Sequence, residues 1–297
     1  MTEIYVFIDA EYATCRTAPT IARMCAWLEV SKSGFYEWRS RPDSASAVRR
    51  VELRLAIGDV FDDSDGTYGH RRVAAQLARR GVTAGAELVR LLMRDLGLVA
   101  CQPRPWRPVT TEQGAAGPIP DLVARDFTAD VPGAKMVGDI TYIPTWEGWV
   151  FLATVIDCAT RKVAGWAMDD NYRTPLISSA IGMAARNLDL PPDAVFHSDR
   201  GSNYTSAQFA SVLDGLSIRQ SVGRTGTCYD NALAESFNAA VKVERVHRTV
   251  YPTRKKARED IARYIELRYN QTRLHSALGY RTPQEVHDEY LSRQLTA

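Results

Sequence analysis

Near residue 121 the spacing of apolar residues in this chain changes from helical to alternating, and that change limits the fold more than any total does. The stretch "KMVGDITYIPT" (135–145) alternates. "GWVFLATVIDCAT" and "RKVAGWAMDD" follow as β-branched and aromatic runs, parted by short turns at Glu147-Gly148 and Ala159-Thr160. This spacing predicts an antiparallel meander of three strands. A helix over Pro175 to Asn187, a short strand in "AVFHSD", a helix over Ser206 to Leu213 and a strand around "SIRQSV" come next. Two more helices close the pattern, one over "YDNALAESFNAAVKVE" (229–244) and an amphipathic one from about Lys255 to Tyr269. Three strands followed by alternating helix and strand predict an α/β fold, a mixed five-stranded sheet with helices on both faces.

The first hundred residues read as all-helical. "TIARMCAWLEVSKSGFYEWRSRP" predicts two helices with a break near Val30, a cap at Ser31 or Ser33, and a stop at Pro42. That is the helix-turn-helix pattern, although short helical hairpins of other kinds share it. A second hairpin runs through "YGHRRVAAQLARRG" to Gly81 and resumes at "VTAGAELVRLLMRDLGL", with Leu88, Leu91, Leu92 and Leu96 expected as its buried stripe. Its arginines either touch phosphates or keep a small bundle soluble. Residues 101–120 hold five of the fourteen prolines and no periodic pattern, which predicts a semi-rigid linker. The expected organisation is therefore a helical, helix-turn-helix-like DNA-binding region at 1–100, a linker at 101–120, and an α/β core with a basic C-terminal helix at 121–295.

No apolar run approaches the roughly 20 residues that a membrane span needs. The start "MTEIYVFIDAEY" lacks the basic segment of a signal peptide. Five scattered cysteines without a C-x-x-C pair imply reduced thiols and a cytoplasmic setting, and the five histidines show no metal-ligand spacing. Net charge is only +2, but from Lys242 to Arg281 there are 11 basic residues against 4 acidic ones. Such a run serves equally well as a solvated face or as a track for a phosphate backbone.

Three acids sit where ordinary structure does not favour them. Asp139 lies within a strand, where Asp is depleted. Asp199 ends the short strand "AVFHSD", at the carboxyl end where open α/β sheets bind ligands. Glu235 shares one helix face with Asn231, Asn238 and Lys242, at intervals of four, three and four. Each has a plain structural alternative: an edge-strand charge, a turn former, a surface residue. Together they are another matter, because this order of elements brings the first strand beside the strand of Asp199 and lays the Glu235 helix across both. At 4 Å and an effective dielectric of 20, each ionised pair costs about 4 kcal/mol. Hard divalent cations, Mg²⁺ or Mn²⁺, turn that repulsion into binding. Two such ions clamp an in-line displacement at phosphorus.

Asp139 and Asp199 are separated by 59 residues, Asp199 and Glu235 by 35, and Lys242 follows seven after the glutamate. This resembles the D-D-35-E pattern of the retroviral-integrase and transposase superfamily. The words "VGDITYIPT", "HSDRGSNYTS", "SVGRTGTCYDNALAESF", "YIELRYNQTRLHSALGYRTPQEV", "SKSGFYEWRSRP" and "YGHRRVAAQL" are similar to the second-frame transposase of bacterial insertion sequence family three, over nearly the whole chain. The resemblance implies an RNase H-like core and metal-dependent DNA cleavage at element ends with strand transfer of the 3′-hydroxyl. Asp139, Asp199 and Glu235 would be the catalytic and metal-binding acids. It further implies double-stranded DNA, both terminal repeats and target, as partner, and transposases of this kind are often fused to an upstream-frame product. Because two ends must be cut and joined, a homo-oligomer on DNA is expected, acting at the nucleoid in the cytoplasm. Lys242, Asn231, Arg200, Arg245, Lys255 and Lys256 are the expected DNA contacts, with a helix N-cap as the competing role for Asn231 and a structural role for Asp157 and His197. A nuclease without strand transfer and a non-catalytic DNA-binding protein are the alternatives.

Overall fold

The computed structural model describes residues 2–14, 19–42, 44–102, 119–223 and 231–296. The chain divides into two compact units, Met1–Asp59 and Val60–Ala297. In the first, α1 (Thr2–Thr14), α2 (Ile21–Trp27) and α3 (Lys32–Ser40) enclose a small core of Tyr5, Ile8, Ile21, Met24, Cys25 and Phe35. Between α2 and α3 the chain reverses through Glu29, at φ 53°, and the Ser31 hydroxyl caps α3 by accepting from the Gly34 N–H at 3.2 Å. That is the expected break and one of the two expected caps.

The cut falls inside α4 (Ala45–Asp63), so α5 (His70–Arg79) and α6 (Ala86–Asp95) belong to the unit that carries the sheet. Long-range bonds explain this: the Tyr68 hydroxyl donates to the Thr272 carbonyl at 3.1 Å and accepts from the Leu274 N–H at 2.8 Å. The buried stripe of α6 is Val89, Leu92 and Met93, while Leu96 is exposed. The expected stripe was thus rotated by about one position, because the i, i+3, i+4 set that fits against α5 begins at Val89. Of the expected linker 101–120, residues 103–118 lie outside the described residues.

The sheet has the order β3-β2-β1-β4-β5, with β1 (Lys135–Thr145), β2 (Gly148–Asp157), β3 (Val163–Asp169), β4 (Val195–Ser198) and β5 (Arg219–Val222). β1, β2 and β3 form the antiparallel meander, and β4 and β5 add parallel to β1. α7 (Thr174–Asn187) and α8 (Ala207–Gly215) cover one face, where Met136, Phe196, Ile181 and Phe209 share a core. α9 (Ala232–Glu244) and α10 (Arg254–Arg263) cover the other, packing Phe237, Val241 and Ile261 on Val137, Ile143 and Leu152. Gly165 lets α7 approach β3, since a Cβ there would collide with the Ala180 carbonyl.

The expected helix over Lys255 to Tyr269 is two structures. α10 stops at Arg263, and Tyr264–Tyr269 continue as a π-helical turn, closed by the Asn270 N–H bonding the Ile265 carbonyl at 3.0 Å. The wider turn buries Tyr264, Ile265 and Tyr269 together. Asn270 then pairs both amide groups with Val163, at 3.0 and 3.1 Å, and so closes backbone positions on edge strand β3. The last helix is α11 (Pro283–Thr296). No helix of the described residues is long and apolar enough to cross a membrane.

Candidate active site

β1 is the central strand of the sheet, and at Asp139 it is paired on one side only, with Thr154 of β2. β4 pairs with β1 only over Lys135–Val137 and ends at Ser198. Asp139 therefore stands on β1 just past the carboxyl end of β4. Asp199, the next residue after β4, continues the same register to its level. Val137 and Asp139 point to the side covered by α9, as strand alternation requires. The sheet itself thus brings the two aspartates together from positions 60 apart.

α9 carries three stripes. Ala234, Phe237 and Val241 are buried in the core, whereas Leu233 and Ala240 are only partly buried. Glu235, Asn238 and Lys242 line the edge toward Asp139. The Asn238 amide donates to Asp139 Oδ2 at 2.7 Å, and the Ile140 N–H donates to Oδ1 at 2.8 Å. Burial, with the Asp199 and then the Glu235 charge adding to it, still pushes the Asp139 carboxyl up to about 7. Asp199 is raised by burial against the Gly201 N–H that bonds it at 3.0 Å, and Glu235 is raised by burial and by the Asp199 charge. Each carboxylate is thus held away from its ionised form, and two of the three are pushed further by another of the group. The Tyr204 hydroxyl is buried without a hydrogen-bond partner among the described residues, and burial and the Asp139 and Asp199 charges hold its proton on firmly.

The donor set is all hard oxygen and suits Mg²⁺ or Mn²⁺ in kind. The side chains do not close on one point, however: among the described residues no three His, Cys, Asp or Glu groups form a set that would hold a metal ion. Two buried amide oxygens beside Asp139, Asn231 Oδ1 and Asn238 Oδ1, have no partner among the described residues.

Of the expected DNA contacts, Lys242 lies close to the acids. Burial lowers its ammonium while the Asp139 charge holds it up, and its Nζ stands 4.7 Å over the Tyr142 ring. Lys255 and Lys256 are exposed in the first turn of α10. Three others are engaged within the molecule. Arg245 makes a paired contact with Asp260 at 2.7 and 2.6 Å, and Arg200 donates to the Gly223 and Ile119 carbonyls. Asn231 is buried, and its side chain does not cap α9. Its amide donates instead to the Gly138 carbonyl at 3.1 Å, tying the start of the helix to β1 beside Asp139. Asp157 is a buried turn anchor, accepting from the Gly133 and Thr160 N–H groups. His197 is buried with Nδ1 2.7 Å from the Ser221 hydroxyl, a structural placement. Sequence reasoning saw Asn238 on the polar face but assigned it no role, and it missed Tyr204. Only the first carried a signal, its helical spacing from Glu235.

Two integrase core domain models match the chain, at residues 129–228 and 216–283, and an HTH-like domain model matches 49–106. The HTH-like match falls on the second helical hairpin, not on the hairpin at residues 20–42 where the pattern was read. The chain is 34% identical over 292 residues to the transposase InsF for insertion sequence IS3A of Escherichia coli K12, covering 97% of this chain and 99% of that one. It is 33% identical to a 31 kDa protein of insertion element IS600 from Shigella sonnei, over 90% and 98% of the two chains. The HTLV-2 integrase catalytic core domain, solved in complex with magnesium, is similar to 53% of this chain over 97% of its own, at 17% identity and a TM-score of 0.40, too loose a likeness to build on. At 34% identity across nearly its full length, with the integrase core matched in two segments, the chain belongs to the IS3-type insertion-sequence transposases, enzymes of the DDE class.

Proposed function

We propose that Asp139, Asp199 and Glu235 are the catalytic acids of this transposase, cutting the phosphodiester at the element's ends and directing the freed 3′-hydroxyl onto a second DNA phosphate. What supports the reading above all is the placement of Asp139: it sits on β1 at the level of Asp199 just past β4, and its carboxyl is raised by burial and then by both other acids. Carboxylate oxygens of these three residues would hold one or two divalent cations, Mg²⁺ or Mn²⁺, which when bound supply polarisation of the attacking oxygen and counter-charge for the leaving one. The rest of the work belongs to the chain. Asn238 fixes the Asp139 carboxylate, Asn231 pins the α9 start to β1, and the Lys242 ammonium offers a contact to the phosphate beside the scissile bond. Residues 1–100 would recognise the DNA and residues 121–295 carry the chemistry, with 101–120 between them. Since two ends are joined, more than one copy would act, in the cytoplasm on nucleoid DNA.

The test is cleavage of a labelled element end by purified protein with Mg²⁺. Asp139→Asn should lower the rate by about a hundredfold or more while the variant melts no earlier than the parent. An Asp139→Asn protein that cleaves as fast as the parent overturns the assignment.

A further inference from the structure

On the far side of α9 from the acids lies a cavity of about 260 Å³ that none of the expected DNA contacts lines. Three guanidiniums from distant parts of the chain border it: Arg72 from α5, Arg161 from the turn between β2 and β3, and Arg273 from the segment before α11. His275 and the hydroxyl-bearing Ser236, Tyr269 and Ser276 complete its polar lining.

One carboxylate answers these three cations, and it is already saturated. Glu244 accepts from Arg273 Nε at 2.9 and 3.0 Å and from Nη2 at 2.6 Å, and it accepts from the Tyr264 hydroxyl at 2.9 Å. Arg72 is left 3.9 Å from it, an ion-pair contact beyond hydrogen-bond length. Arg161 has no hydrogen-bond or ion-pair partner for its guanidinium among the described residues, and its backbone is held at φ 62°, a left-handed conformation rare for a long side chain. The concentrated charge is visible in the neighbours. His275 is pushed down to about 3 by burial and then by Arg273, Arg72 and Arg161 in turn, and Arg72 is lowered by burial and by Arg273. A cavity that keeps two guanidiniums short of acceptors calls for an oxyanion.

We propose that this arginine pocket binds a phosphate oxyanion, in the working enzyme a backbone phosphate of the DNA strand that runs on from the acid site. The inference rests on the reading that the acid site holds DNA. Its geometry follows from α9, whose Glu235, Asn238 and Lys242 face the acids while Leu233, Ser236 and Ala240 face the pocket. A helix is about 10–12 Å across, or roughly three nucleotide steps of 3.4 Å, so a strand crossing α9 reaches the pocket a few phosphates from the cut.

The test uses the full chain, a labelled duplex carrying an element end, and a chelator, with binding measured from 50 to 200 mM salt. Arg161→Gln should reduce the slope of log affinity on log salt by about 0.9, so the affinity lost across that range shrinks about three- to fourfold, and Arg161→Lys should restore much of the slope. A second arm titrates inorganic phosphate and follows thermal melting. Phosphate that stabilises the parent but not Arg161→Gln, with the DNA slope unchanged, supports the oxyanion site and assigns it to a free anion. If neither the slope nor the phosphate response depends on Arg161, or on Arg72 in an Arg72→Gln protein should the first variant fail to fold, the proposal is overturned. Undiminished cleavage by Asp139→Asn would remove the acid assignment without changing this result.

Discussion

Asp139 illustrates how a single side chain can store an electrostatic conflict. Its carboxyl, ordinarily at 3.8, titrates at about 7 because burial and two acidic neighbours outweigh the bonds from Ile140 and Asn238. The consequence for stability has a definite sign. Between about pH 4 and 7 the folded Asp139 carboxyl keeps a proton that the unfolded one has lost, so its contribution to stability is full below about pH 4 and is lost as pH rises to about 7. In a chelating buffer the difference in unfolding free energy between the parent and Asp139→Asn, which leaves out the depressed His275 and His287 common to both, should therefore drop from pH 5 to pH 8, by no more than about 3 kcal/mol. A parent whose metal-free stability runs parallel to that of Asp139→Asn over this range would show that the carboxyl is ionised throughout.

Helix α9 and strands β1 and β4 act as a unit at the next scale. The parallel register aligns the two aspartates, and the helix delivers its amide and ammonium to the same point while closing the core with Phe237 and Val241. α7 buttresses the opposite face through its contact at Gly165. Because the neighbour there is helix backbone, with no flexible side-chain end to give way, Gly165→Ala should cost about 1–3 kcal/mol. Chemical denaturation measures it, and an unchanged midpoint would mean that α7 slides freely on β3.

Across the whole molecule, the division at Asp59 implies two cooperative units. Met1–Asp59 has its own small core of aromatic and aliphatic side chains, a size at which burial only modestly exceeds entropy. Calorimetry should resolve a minor transition of about 40 kcal/mol for those residues ahead of a larger one. A single transition carrying the full enthalpy would show that the units melt together.

The β-meander was legible because alternation is a property of neighbouring residues, and β1 occupies the residues that its pattern marked, 135–145. The helix carrying Glu235 was legible for the same reason, its polar stripe written at helical spacing. Asn238's bond to Asp139, the pinning of Asn231 to Gly138, the engagement of Arg245 by Asp260, and the π-helical turn at Tyr264 were not, since each depends on what a side chain meets across the core. The arginine pocket is the extreme case: Arg72, Arg161 and Arg273 lie far apart along the chain, and no local pattern distinguishes them from solvated surface arginines. Periodicity alone determined the order of strands and helices and which of them carry Asp139, Asp199 and Glu235. The closing of the sheet and helices on one another decided which charges remained without partners, because pairing and burial are set by distances in space and not by intervals in sequence.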